Sequence, residues 1–253
     1  MANTYKSASF DDIERLREVI TQVCAAAPDV ETAAAELSRV LLGASSSCVL
    51  ARIFMVLPLR RMTEGERTWA EIFARTIERG SALAPATPVL SLLGTAGVES
   101  PWNDRAFSVG HRAIPLIDQS FVNSAPMIAA LLSSFNLDIG TTNTGEIALR
   151  TAAGGLNARF LVGDAQTSVD AGGRFVIAAR EFVARHEVRS VFGMGGSYVG
   201  GELVAAILFT RETMSEADVD RYTSLISTFK MATSAHVASG RIYSAPTVLA
   251  ARL

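Results

Sequence analysis

The sequence predicts an α/β (α+β) protein, strands buried between helices, and three observations predict it. Residues 47–57 (SCVLARIFMVL) are apolar at both parities, β-branched and ended by Pro58, which is the pattern of a strand covered on both faces. Phe10, Ile13, Leu16, Ile20, Val23 and Cys24 recur at helical spacing. Two apolar runs, 188–192 and 202–210, flank the glycine-rich stretch 193–201 (GMGGSYVGG), and strand–glycines–strand reads as a hairpin in which glycine supplies positive φ.

Composition narrows the class. Of 253 residues, 49% are hydrophobic and 19% charged, which is too apolar for a disordered chain. A formal net charge of -2 argues against broad phosphate neutralisation, so no nucleic-acid partner is expected. The 2 cysteines cannot form a disulfide framework, which points to a reducing, cytoplasmic setting. A membrane span needs about 20 unbroken apolar residues. Residues 48–59 contain Arg52 and Pro58, and 203–209 are bounded by Glu202 and Arg211. At the N-terminus, Asp11, Asp12, Glu14 and Arg15 stand where the apolar region of a secretory signal would be. Neither a membrane partner nor a leader is expected.

The elements follow in order. Ser9 with Asp12 caps a first helix that ends near Pro28, and Asp29 caps a second, stopped by Gly43. After the strand at 47–57, Thr63 and Glu66 make a T-x-x-E capping box for a third helix to Arg79, closed by Gly80. Short strands at 89–93 and 113–117 bracket a polar, turn-rich stretch, 94–110. Ser124, Ala125 and Pro126 open a helix running to Phe135. Residues 140–156 have little periodicity and read as a loop, irregular hairpin or insertion. Residues 159–162 suggest a strand, and Phe175, Ile177, Ala178, Phe182 and Val183 a helix ending at His186. Thr213 and Glu216 form another capping box, opening a helix from Glu216 to Ser239 that would run about 36 Å.

Local chemistry signals are weak. Gly193 and Gly195 begin a dinucleotide fingerprint, but Tyr198 replaces its third glycine and a strand follows instead of a helix. Ser197 misses the nucleophile elbow, because Val199 stands where its last glycine belongs. His111, His186 and His236 lie far apart, so no metal site is expected; His186 suits a helix C-terminus, and His236 a seam or surface. Cys24 and Cys48 fall among apolar positions and read as inert core thiols. The loop around Trp102, Asn103, Asp104, Arg105, His111 and Arg112 has two readings. It is an ordered cover over the core, fixed by an Asp–Arg pair, or it contacts a ligand.

The C-terminal segment resembles the second half of a GAF domain, within the GAF/PAS-like sensory superfamily. The resemblance rests on VRSVFGM, the glycine turn, GELVAAILFTRE and SEADVDRYTSLISTFKMATSAHV, and covers about residues 159–237. It implies an antiparallel sheet flanked by helices, with extra N-terminal helices, long terminal helices and a small-molecule pocket over one face. The expected organisation is an N-terminal helical segment (1–43), a GAF-like sensory domain (44–240) and a C-terminal tail (241–253). The N-K-F-D-E pattern of cyclic-nucleotide binders is absent, and neither cysteine has the spacing used for bilin attachment. Nor do they match the loop cysteines of members that reduce free methionine sulfoxide.

The resulting expectation is a non-enzymatic, regulatory, ligand-binding sensor that signals through a homodimer built on its terminal helices, with Leu225 and Phe229 as seam contacts and a signalling output partner. No cofactor is required by the sequence. Two alternatives are a haem-based gas or redox sensor with His111 as axial ligand, and a ligand-free dimerisation module. The expected ligand-binding residues are Trp102, Asn103, Arg105, His111 and Arg112 from the loop, joined by Phe192, Met194 and Tyr198 from the hairpin. The loop would act as a lid over a pocket flanked by 113–117 and the helix from Ala125. Its aromatic face, amide, guanidiniums and imidazole suit a small anionic or planar polar ligand.

Overall fold

A computed structural model describes residues 4–77, 83–108, 110–135, 137–141, 147–151 and 158–245. The leading helices form at their caps. In α1 (Phe10–Ala25) the Ser9 hydroxyl accepts from Asp12 N while the Asp12 carboxylate accepts from Ser9 N. In α2 (Val30–Gly43) Asp29 accepts from Thr32 N at 2.7 Å. The strands are β1 (Cys48–Pro58), β2 (Pro88–Gly97), β3 (Ala113–Pro115), β4 (Leu137–Thr141), β5 (Ile147–Thr151), β6 (Ala158–Val162), β7 (Ser190–Ser197) and β8 (Leu203–Thr210). Six of them make an antiparallel sheet in the order β3-β2-β1-β8-β7-β6, and β4 and β5 pair separately. The remaining helices are α3 (Glu64–Thr76), α4 (Gln119–Ser124), α5 (Pro126–Ser134), α6 (Arg180–Arg185), α7 (Glu216–Asp220) and α8 (Thr223–Ala238).

Strand alternation divides the interior into two cores. Ala51, Ile53, Met55 and Leu57 of β1 face one side with Phe192, Met194, Ala206 and Leu208, where α1, α2 and α8 supply Ile20, Leu37, Leu41, Leu225 and Phe229. Leu50, Phe54 and Val56 face the other side with Leu92, Phe160, Ala205 and Ile207, beneath Val122, Leu131, Phe135 and Val183 of α4 to α6. Each fully buried Leu, Ile or Phe contributes about 1.5–3 kcal/mol relative to exposure, so both layers hold the sheet. Helix α2 lies so close to β2 that a Cβ on Gly94 would stand 2.2 Å from the Ala34 carbonyl oxygen. Glycine is required there by the approach of two backbones.

Several expected elements differ. The glycines at 193–196 lie inside β7, and the turn itself is only Tyr198–Gly201, with Tyr198 N donating to Glu202 O. The Phe135 ring occupies the place of a Cβ at Gly195, so glycine there serves packing and not turning. The helix expected from Phe175 is reduced to α6, because Asp170 accepts from Gly172 N and Arg174 N and turns the chain, and Phe175 pairs with Val169. The long C-terminal helix is broken at Arg221 and Tyr222, and Ser215 with Asp218, not Thr213 with Glu216, forms its capping box. The 16 residues of α8 span about 24 Å.

β2 runs to Gly97, four residues past the expected end, and α4 is a helix that sequence periodicity did not show. The weak stretch at 140–156 contains part of the β4–β5 hairpin; its residues 142–146 and 152–156 lie outside the described ones, as does the expected stop at Gly80. Residues 241–245 return to the fold. Val30 N and Glu31 N donate to the Arg241 and Ile242 carbonyls, closing the start of α2. No helix among the described residues is long and apolar enough to cross a membrane.

Candidate ligand-binding site

The loop expected to act as a lid is built around an unfinished strand edge. β3 pairs only with Val89 to Ser91, so among the described residues the outer edge of β2 from Leu92 to Gly97 has no hydrogen-bonded strand. An open edge needs cover, and the loop provides it. Leu92 N donates to Arg112 O, and Arg105 Nη1 donates to Leu92 O at 3.2 Å. The Thr95 hydroxyl donates to Trp102 O, and the Asn103 amide brackets Gly97, accepting from its N and donating to its O, each at 3.1 Å. Asp104 accepts from Ala106 N, so the acid expected to pair with an arginine caps a short turn instead.

Both loop arginines are committed to acids. Glu66, 2% exposed, accepts from Arg112 Nη2 at 2.6 Å and from Arg105 Nη2 at 3.1 Å. Arg105 Nε also donates to Glu31 at 2.7 Å, and its guanidinium lies 5.7 Å from the Tyr243 ring centroid. Burial opposes the charge on Arg105, but the hydrogen bonds and charges of Glu31 and Glu66 outweigh it and raise its pKa above the ordinary range. This network corrects the capping box expected at α3. Thr63 does accept from Glu66 N, but the Glu66 carboxylate turns to the arginines because a buried charge gains more from cations than from one amide.

The eight expected ligand residues do not converge. Trp102 lies over Gly97 on the α4–α6 side, edge-on to Phe182 and His186 at 5.5 and 4.9 Å. Phe192, Met194 and Tyr198 belong to the core under α1, α2 and α8, so the sheet separates them from Trp102. The Tyr198 hydroxyl shares a 2.7 Å hydrogen bond with Thr233, and burial raises its pKa. These three are core residues, a correction to the expected hairpin wall. His111 is exposed, whereas a haem iron ligand lies within an apolar slot, so its setting does not fit that cofactor. Burial pushes the Cys24 thiol up to about 12 and the Cys48 thiol up to about 11, far from thiolate chemistry at neutral pH.

Sequence reasoning missed Arg52. It sits on the central strand, opposite Thr95 of β2 and Ile207 of β8, and shares its side of the sheet with Leu50 and Phe54. Its Nε is sealed from solvent without an acceptor, and burial alone lowers the guanidinium pKa to about 10. The signal in the sequence is the single charge inside this apolar strand. A separate open groove of about 400 Å³ runs between α1 and α8, lined by Glu14, Arg17, Glu18, Thr228 and Met231 among others.

No protein-family model matches the chain, and no curated relative matches it. Among solved structures it is similar to a free methionine-R-sulfoxide reductase from Neisseria meningitidis, at 14% identity, 94% coverage of this chain, 99% of that one and a TM-score of 0.48. It is similar also to the GAF domain of a phosphoenolpyruvate-protein phosphotransferase from Coxiella burnetii, with 12% identity, 92% and 98% coverage and a TM-score of 0.48. A phycoerythrobilin-bound GAF domain from a cyanobacterial phytochrome matches at 12% identity, 92% and 98% coverage and a TM-score of 0.41. The chain's own architecture is GAF-like: a six-stranded antiparallel sheet flanked by helices, ending in a strand–turn–strand–helix unit.

Proposed function

We propose that this chain is a non-enzymatic, regulatory GAF-like domain that binds a small ligand over the sheet face opposite α1, α2 and α8. The observation that carries this reading is the unequal cover of the two faces. One side is closed by three helices of 14 or 16 residues. The other is covered by α4, α5 and α6, of 6, 9 and 6 residues, joined by Phe73 of α3, with Met127, Ile128 and Ala130 only partly buried. Short, separately anchored segments open at lower cost than long packed helices, which suits ligand entry. The buried, unactivated thiols favour a binding role over thiol redox chemistry.

Signalling through a homodimer belongs to the same reading. Leu225 and Phe229 are 1% and 0% exposed and are consumed inside the subunit, so they are withdrawn as seam contacts. The outer faces of α1 and α8 offer Phe10, Val19 and Met231 instead, all exposed. A thermal-shift screen of metabolites and anions tests ligand binding, because a ligand of the native state raises Tm. A rise with one chemical class is expected. A flat response across the screen would reject the reading and favour a ligand-free module.

A further inference from the structure

We infer that Arg52 is the anchor for a ligand carrying one carboxylate on an apolar body. This inference rests on placing the ligand over the face that bears Leu50 and Phe54. Arg52 lies near the middle of that face, on a strand paired on both sides, and the residue is half-buried with its Nε fully sealed. A guanidinium keeps its charge in proteins, and a buried charge without a partner is costly.

The other arginines with restricted exposure show what this chain ordinarily does with such a group. Arg105 holds Glu31 and Glu66, Arg112 holds Glu66, and Arg61 holds Glu202. Arg180 donates to the carbonyls of Ala165 and Gln166. Arg17, whose Nε is also sealed, still holds Glu14 through Nη1. Among the described residues, Arg52 alone in this set has no hydrogen bond or ion pair on its guanidinium and no acid among the influences on its charge. Its cross-strand neighbour Thr95 directs its hydroxyl to Trp102 O and makes no hydrogen bond to Arg52, and its other neighbour, Ile207, has no side-chain acceptor.

The class of ligand follows from charge and surroundings. A fork of parallel N–H donors matches the two oxygens of a carboxylate. Among the described residues on the same side of the sheet, Arg180 is committed to carbonyls and Arg174 to Asp170, which leaves Arg52 to balance one negative charge. A phosphate, more highly charged and hydrated, would want further donors. Leu50 and Phe54 flank the position along β1 and Ile207 lies opposite it on β8, all in one apolar core, so the rest of the ligand is apolar. An organic monoacid satisfies both demands.

The test uses the full chain, wild type and Arg52→Met, in thermal melts with octanoate or benzoate, their amides octanamide and benzamide, and inorganic phosphate. The expected result is a Tm rise with the carboxylates and none with the amides or phosphate. Arg52→Met should melt at or above the wild-type temperature without ligand, because an unpaired charge is replaced by an apolar chain of similar length. It should lose the carboxylate response, needing at least about tenfold more ligand for the same shift. Equal stabilisation by amides, or an unchanged response in the variant, would overturn the carboxylate anchor and leave ligand binding in place. A variant that melts well below wild type without ligand would make Arg52 structural and overturn the inference as well. Failure of these acids while unrelated compounds stabilise both proteins would reject the anchor alone; failure of every compound would reject both readings.

Discussion

Arg112 Nη2 lies 2.6 Å from the Oε1 of Glu66, the same oxygen that accepts from Arg105 Nη2 at 3.1 Å. One buried carboxylate thereby joins the start of α3 to the middle and the end of the loop that covers the open edge of β2. That loop is a structural cover first, and its arginines are occupied before any ligand arrives.

Removing the shared acid leaves Arg112 without its carboxylate and Arg105 with Glu31 alone. Glu66→Ala should cost about 3–5 kcal/mol in urea unfolding. Arg105→Ala should cost about 3 kcal/mol by the same mechanism, whereas exposed His111→Ala should stay within about 0.5 kcal/mol. Equal, small effects of all three substitutions would show that the network does not hold the loop.

Gly94 and Gly43 make a controlled pair. Gly94→Ala must push α2 off β2, because the nearest backbone atom would be 2.2 Å from the new Cβ, and a loss of more than about 2 kcal/mol is expected. Gly43 has nothing within 4 Å, so Gly43→Ala should be neutral or stabilising by up to about 1 kcal/mol. Denaturant midpoints of the two variants check both signs.

Glu212 ties the N-terminal segment to the sheet. Its carboxylate accepts from Tyr5 N and Lys6 N at 2.9 Å each and from the hydroxyls of Ser45 and Ser47. Burial works to raise its pKa, but these hydrogen bonds outweigh it and hold the carboxyl below its usual value. A depressed folded-state pKa gives stability that is present above the ordinary carboxylate range and lost as pH falls through the lowered value. Stability should therefore fall from pH 7 towards pH 3, and Glu212→Gln should flatten that acid limb. An identical pH profile in the variant would remove Glu212 as a contributor.

Thiol accessibility offers another check. With both thiols buried and their pKa values raised, a disulfide reagent at pH 8 should modify neither Cys24 nor Cys48 until denaturant is added. Rapid labelling of the native protein would contradict the packing of α1 against α2 and of β1 against Tyr5.

Much of this architecture was legible wherever a local rule and the tertiary structure agreed. Ser9 and Asp29 cap their helices as side chains of that type do, and the β1 run, apolar at both parities, is the strand at the centre of the sheet. Disagreement arose where a distant group won. Glycines 193, 195 and 196 look like turn residues until Phe135, far along the chain, is seen over Gly195. Glu66 has the spacing of a capping box, yet its partners Arg105 and Arg112 lie 39 and 46 residues away. The candidate site was less legible, because a loop rich in polar side chains looks alike whether it covers an edge or a ligand. Arg52 has the opposite character, one charge in an apolar strand, and its meaning depends on which sheet face receives it.

Hydrogen–deuterium exchange on the full chain, with and without a stabilising carboxylate, tests the central claim of ligand binding over the second face most directly. Exchange should slow in α4 and α5 and stay unchanged in α1 and α8. Protection confined to α1 and α8, or no change at a ligand concentration that saturates the thermal shift, would contradict it.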